Sequence, residues 1–285
     1  MTKRMLIDAE YLEETRVVIT NDNEINDFDH ETANKKQIRG NLYLAKIARV
    51  EPSLQAAFVD YGNEKHGFLA FSEIHPDYFQ IPIADKEILL KKEKENEDND
   101  IESTDIYEEN NTFDKNTSNS KHKILHKYKI QEVIKKGQIV LIQVVKEERG
   151  NKGAALTTYI SLAGRYCVLM PNTLRKGGIS RRITNMNDRK KLRTIIEGLN
   201  IAKNMAIIIR TAGSKRSKVE IKRDYNFLNK TWDKIKSITL KSVAPILVHE
   251  ENNVIKRSIR DLYNTDMEEI LVEGKASYKA ARNYM

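Results

Sequence analysis

The feature that most restricts this chain is a set of five short apolar segments, at 41–50, 54–61, 66–71, 138–146 and 154–161. Apolar and polar residues alternate along Asn41-Leu-Tyr-Leu-Ala-Lys-Ile-Ala-Arg-Val, as they do in a strand with one buried face. Pro52-Ser53 and Gly62-Asn63 stand where turns are needed. Gln138-Ile-Val-Leu-Ile-Gln-Val-Val-Lys is the longest strand-like run. Strands this short cannot bury a core singly. Five of them, with one long connection before the last hairpin, fit a small closed β-barrel of the OB type. Another antiparallel barrel or a sandwich satisfies the same alternation.

The long connection is a second constraint. Residues 84–120 hold twelve Asp or Glu against Lys86, Lys91, Lys92, Lys94 and Lys115, with little that can be buried. A disordered acidic insert interrupting one domain is expected there. The 285-residue chain carries +8, so the insert's −7 leaves the remainder at +15. A basic globular body favours a polyanionic partner, most often nucleic acid; a lysine-rich surface is the plainer account of the same excess. No apolar run approaches the ~20 residues of a membrane span, and the first residues lack an apolar leader. The lone Cys167 can form neither an internal disulfide nor a multi-cysteine zinc site within one chain. A cytoplasmic setting is expected.

Outside the barrel, strands are expected at 4–8 and 15–20, with a turn at 21–23. Further on the pattern gives a strand at 166–170, a charged helix at 188–198, a buried strand at 205–211 and a helix at 225–237 around Trp232. Short strands at 245–249 and 253–258, a helix at 258–263, a strand at 269–273 and a helix from 276 complete the reading. On the barrel, Phe58 and Phe68 lie on neighbouring strands, with Lys65 and His66 just before the second. Aromatic faces stack on bases and cations follow phosphates. Alternation alone leaves Phe58 able to fill the core instead.

Gly40-Asn-Leu-Tyr-Leu-Ala-Lys-Ile, Ala57-Phe-Val-Asp-Tyr-Gly, His66-Gly-Phe-Leu, Ser72-Glu-Ile and Gly137-Gln-Ile-Val-Leu-Ile-Gln-Val together resemble an S1 RNA-binding domain. The run from Lys146 to Tyr166, with Pro171-Asn, Gly177-Gly-Ile-Ser-Arg-Arg-Ile and Ile209-Arg-Thr-Ala-Gly, is similar to the ribonuclease E/G family and nearer its ribonuclease E branch. The resemblance covers nearly all of the chain except the acidic insert. It implies an α+β architecture. An RNase-H-like subdomain, in segments 1–38 and 256–285, would be split around an S1 (OB-fold) β-barrel at 39–158 and a mixed 5′-sensor at 159–255.

The same resemblance implies a partner: single-stranded RNA with a 5′-monophosphate, handled in RNA decay and rRNA or tRNA processing. Carried over residue by residue, Phe58, Phe68 and Lys152 would hold RNA. Gly164, Val168, Arg181, Arg210 and Thr211 would hold the terminal phosphate. The residue types suit the task. An arginine gives a phosphate two parallel charge-assisted bonds, a threonine adds a hydroxyl donor, a glycine permits close backbone approach, and a valine offers an apolar wall. The family's Mg-binding carboxylates lie in a DNase-I-like subdomain, with a zinc-binding Cys pair just beyond it. This sequence has no positions for either. No catalytic residue and no cofactor are therefore expected on these residues. Asp8, Asp29, Asp261 and Asp266 are acids of the RNase-H-like segments, and no spacing makes them converge. A separate polypeptide would supply catalysis. The alternatives are a stand-alone S1-type RNA-binding protein or a nonfunctional split-gene fragment.

Overall fold

The computed structural model describes residues 2–11, 13–22, 24–32, 37–82, 85–86, 128–148, 152–173, 177–202, 204–251, 253–263 and 266–285. In chain order come strands β1 (Lys3–Asp8), β2 (Glu14–Asn21), β3 (Glu24–Thr32), β4 (Leu42–Glu51), β5 (Ala56–Asp60) and β6 (Gly67–Ala70). Helix α1 (Ile130–Val133) precedes β7 (Ile139–Lys146), β8 (Ala155–Thr157), β9 (Leu162–Ala163), β10 (Cys167–Met170) and β11 (Gly178–Ile179). Then follow α2 (Met186–Glu197), β12 (Ala206–Ile209), α3 (Lys218–Lys241), β13 (Ile246–His249), α4 (Val254–Leu262), β14 (Met267–Val272) and α5 (Lys275–Tyr284). The contacts divide the chain into two compact units, Met1–Ile38 with Glu250–Met285, and Arg39–His249. Of the acidic stretch 84–120, all but Asp85 and Lys86 lies outside the described residues.

The first unit is a sheet of order β14-β1-β2-β3. β1 pairs antiparallel with β2 and parallel with β14, joining the two ends of the chain residue by residue, Met5 to Ile270 and Leu6 to Leu271. Met5, Ile7, Val17 and Ile19 face inward and meet Val254 and Ile259 of α4. Two expectations are corrected here. The segment 253–258 is the start of a helix, not a strand. Asn253 caps it by accepting from the Lys256 N–H at 3.2 Å, and Val254, Ile255, Ser258 and Ile259 are buried at helical spacing. The stretch 24–32, read without a strand, is β3. It is an exposed edge strand with few apolar residues, so no alternation marks it; its pairing with β2, Val18 to Phe28, defines it. Arg260, buried in this unit, is held between the carboxylates of Glu251 and Asp261.

The second unit contains the expected barrel. β4, β5, β6, β8 and β7 follow one another, and β7 closes back onto β4 with Leu42 opposite Gln143 and Leu44 opposite Leu141. Inward positions hold Ala45, Ile47, Val59, Leu69, Ile142 and Leu156, all essentially inaccessible. β13 pairs with β4 at residues 42–44, just before the stretch 46–51 that pairs with β5. The Gln143 side chain ties the barrel to the segment leading into β9. It donates to the carbonyls of Gly40 and Ser161 at 3.0 and 2.8 Å and accepts from the Ser161 N–H at 2.8 Å.

Beyond the barrel, a sheet of order β11-β12-β10-β9 packs on α3. This helix starts at Lys218, well before the expected 225. Ser217 and Glu220 form a reciprocal capping box, and Ile221 already lies on the buried stripe that continues through Tyr225, Leu228, Trp232 and Ile235. Among the described residues, no helix is long and apolar enough to cross a membrane.

Leu69 is fully buried inside the barrel. Leu69→Ala is expected to destabilise this unit by about 2–5 kcal/mol, the usual cost of a core cavity. Urea unfolding followed by circular dichroism measures it.

Candidate nucleic-acid interface

Strand alternation fixes which barrel side chains are available. Ala57 and Val59 point inward, so Phe58 between them points outward; Leu69 is inward, so Phe68 is outward. The core placement left open for Phe58 does not occur. Phe58 and Phe68 are directly opposite in the β5–β6 ladder, and their rings meet edge-to-face with centroids 6.1 Å apart. A register shift in β4 next to Ile47 sets Arg49 opposite Phe58, and its guanidinium lies 4.7 Å from the centre of that ring. On the other side Phe68 pairs with Ala155. One row across the outer face thus reads guanidinium, ring, ring.

Lys152 is exposed on the run that leads into β8. The following Gly153 passes so close to His66 that a Cβ there would lie 2.0 Å from the His66 carbonyl oxygen, and the Phe68 N–H donates to the Ala154 carbonyl at 2.7 Å. Lys152 therefore stands at the end of the row remote from Arg49. Lys65 and His66 are exposed beside it, with the Lys65 ammonium 3.9 Å from Glu148.

The second cluster sits where β9 and β10 meet the end of β12. Arg210 follows β12 directly. Its N–H donates to the Tyr166 carbonyl at 2.8 Å, and its Nη1 donates to the Gly164 carbonyl at 2.7 Å. Thr211 next to it is exposed and opens a short 3₁₀ turn. Val168 pairs with Ile208 on the half-buried face of the sheet, opposite in direction to the buried Cys167 and Leu169. The Ser180 N–H donates to the Ile209 carbonyl at 2.9 Å, which brings the exposed Arg181 alongside the same strand end. The structure thus joins Gly164 to Arg210 by a hydrogen bond, with Thr211 adjacent, Val168 one residue into the sheet and Arg181 on a neighbouring loop.

Asp224 on α3 escaped the sequence reading. Its carboxylate accepts the backbone N–H groups of Arg165, Tyr166 and Cys167 at 3.1, 2.8 and 2.9 Å, and the Cys167 thiol at 3.2 Å. It fixes the loop that carries the Gly164 carbonyl. Gly164 has no room for a side chain, since a Cβ would come within 2.6–2.9 Å of that carboxylate. The Tyr166 ring was also missed as a feature. Guanidinium carbons of Arg165 and Arg216 lie 5.3 and 5.2 Å from its centre, a doubly cationic stack beside Arg210. An Asp seven residues after a Ser-x-x-Glu capping box, on the face that also holds Ile221 and Tyr225, is the only sequence signal that pointed to it. Burial, and then the negative charge of Asp224, push the Cys167 thiol well above its ordinary pKa.

The acids of the first unit behave differently. Asp29 pairs with Arg257 at 2.9 Å and Asp261 with Arg260 at 2.9 Å. Among the described residues, no group of three or more His, Cys, Asp or Glu side chains could hold a metal ion.

The chain is similar to known proteins over nearly all of its length. Residues 36–158 match the S1 RNA binding domain, and residues 161–285 match the Ribonuclease E/G family. The chain is 40% identical to Ribonuclease E of Escherichia coli over 283 residues, which is 99% of this chain and 23% of that protein. It is 39% identical to Ribonuclease E of Buchnera aphidicola subsp. Acyrthosiphon pisum, over 99% of this chain and 27% of that one. Against Ribonuclease G of Escherichia coli the identity is 27%, over 98% of this chain and 49% of the relative. The chain thus spans 23–49% of the length of these relatives.

Two outcomes follow from the Asp224 clamp. Gly164→Ala must displace a carboxylate already committed to three N–H groups, and is expected to cost about 1–3 kcal/mol in thermal or urea unfolding. The raised thiol pKa means that the folded state keeps the Cys167 proton where the unfolded chain loses it. Its contribution is intact below the free-thiol pKa of about 8.5 and is lost as pH rises above it. Stability should therefore fall between about pH 8 and pH 10, and Cys167→Ala should flatten that fall when unfolding is measured across the range.

Proposed function

Since residues 36–158 are an S1 RNA binding domain and residues 161–285 a Ribonuclease E/G domain, the chain belongs to the ribonuclease E/G family, and we propose that it binds single-stranded RNA and reads a 5′-monophosphate for an endoribonuclease of the ribonuclease E type. The observation that carries the reading is the Arg210–Gly164 hydrogen bond at a corner fixed by Asp224. A guanidinium has five N–H donors in a rigid fork. One on the Gly164 carbonyl orients the plane, and others give parallel charge-assisted bonds to a terminal phosphate. Thr211 adds a hydroxyl, Arg181 adds charge from the next loop, and the Val168–Ile208 pair offers an apolar wall for the terminal nucleotide. A 5′-triphosphate carries two more phosphate groups into the same corner, where their bulk opposes it.

On the barrel, Phe58 and Phe68 stack bases while Lys152 engages the backbone. Edge-to-face rings in a half-buried, outward-facing row, flanked by cations, support this role better than a structural one, because the core is complete without them. Residues 159–255 serve as the 5′-sensor in this reading. The sheet of the first unit, with its antiparallel β1–β3 meander and β14 parallel to β1, suits an RNase-H-like subdomain divided between the two ends of the chain. The setting is the cytoplasm, and the process RNA decay and rRNA or tRNA processing. The described residues do not gather a ligand set for Mg or Zn. In this reading the S1 barrel and the sensor bind and orient the RNA, and cleavage belongs to a separate catalytic part, as the family resemblance implies.

The test is equilibrium binding of RNAs that differ only at the 5′ end. Arg210→Ala should remove the preference for a 5′-monophosphate over a 5′-hydroxyl, a loss of about 1.5–3 kcal/mol, the worth of a charged hydrogen bond. An unchanged preference overturns the sensor reading. Phe58→Ala should weaken single-stranded RNA by about 1–3 kcal/mol, whatever its 5′ end. With Mg²⁺ present, the chain should bind RNA and leave it intact on a denaturing gel.

A further inference from the structure

The row of Arg49, Phe58 and Phe68 does not stop at Arg49. Where β4 shifts register next to Ile47, the barrel surface opens into a groove of about 490 Å³. Its floor is Ala48, Val50 and Ile134, and its walls are Arg49, Lys135 and Lys136. The two walls are tied together. The Gly137 N–H donates to the Ile47 carbonyl at 2.8 Å, and the Ile47 N–H donates to the Gln138 carbonyl at 2.9 Å. Gly137 makes the turn into β7 at φ +87°, a conformation glycine adopts without strain. Lys135 and Lys136, just before it, are held exposed at the rim. The groove is lined by three cationic side chains and no acid. The acid on the neighbouring helix, Glu132, turns its carboxylate to the Lys129 N–H at 2.9 Å, where it caps α1.

We propose that this groove is a backbone subsite for single-stranded RNA, receiving phosphodiesters that leave the Phe58–Phe68 face on the Arg49 side. The inference rests on the aromatic-face reading above and extends it. Arg49 belongs to both sites. Its guanidinium lies over the Phe58 ring and its side chain forms one wall of the groove, so a strand stacked on Phe58 is handed directly to the cations of the other wall. A floor of small and aliphatic groups beneath charged rims accommodates ribose below and phosphate above. Lys152 stands at the opposite end of the row. The RNA path therefore has a cation at each end and crosses the outer face of β4, β5 and β6.

The experiment uses the full chain and fluorescently labelled oligouridines of two lengths, about 4 and about 16 nucleotides, the span of site sizes for such folds. Affinities are measured over a series of KCl concentrations for the natural chain, for Lys135→Gln with Lys136→Gln, and for Phe58→Ala. Each phosphate that no longer meets a cation reduces the slope of log affinity against log salt by about 0.7 on a single strand. The lysine double variant should flatten the slope for the long oligomer by about 1.4 and leave the short one unchanged. An unchanged long-oligomer slope, with Phe58→Ala still weakening both lengths, overturns the subsite and spares the aromatic face. If Phe58→Ala weakens neither length, the aromatic face fails and the subsite fails with it. Melting curves of the lysine variant should match the natural chain, since both side chains are exposed.

Discussion

The Asp224 carboxylate receives three consecutive backbone N–H groups, from Arg165 to Cys167, and the arrangement of the proposed phosphate corner traces back to it. Without that anchor, the loop between β9 and β10 would have to place its amides elsewhere, and the Gly164 carbonyl would lose its fixed direction. Arg210 rests on that carbonyl, and Thr211 and the 3₁₀ turn come directly after Arg210. A carboxylate bound by several N–H donors is strongly held. The interaction is also long-range, joining a loop to a helix almost 60 residues away. The cost of this arrangement is spatial, since the glycine at 164 can be nothing larger.

The barrel solves a different problem. A small closed sheet must fill its interior, and the alternating pattern gives that work to Ala57, Val59 and Leu69. The outward side chains are then available for recognition. The register shift beside Ile47 converts a plain ladder into a row in which Arg49 faces Phe58. Stacking and charge are thereby combined along one line, the combination a sequence-tolerant grip on a single strand requires. The excess of positive charge outside the acidic stretch fits the same requirement.

Much of this is legible in the sequence. Strands with one buried face announce themselves by period, and four of the five barrel strands lie near their expected bounds; the last, expected over 154–161, pairs only over Ala155–Thr157. Capped helices were partly visible: the stripe around Trp232 marked α3, but the Ser217–Glu220 box that starts it seven residues earlier went unread. Two elements were misjudged for physical reasons. β3 is an exposed polar edge whose only evidence is its partner strand, and α4 begins with apolar residues whose first few positions fit a strand as well as a helix until Asn253 is seen to cap it.

The sequence by itself determined the types of residue that could recognise RNA, because aromatic, basic and glycine positions are written in the chain and their motifs are local. Only the tertiary structure decided that Phe58 faces outward, that Arg49 lies over it and that Lys135 and Lys136 line the groove beyond. It alone decided that Asp224 reaches the loop before β10. Each of these is a choice of face, register or distant partner. Such choices are settled by pairing and packing between segments far apart in the chain, for which a linear pattern carries no record.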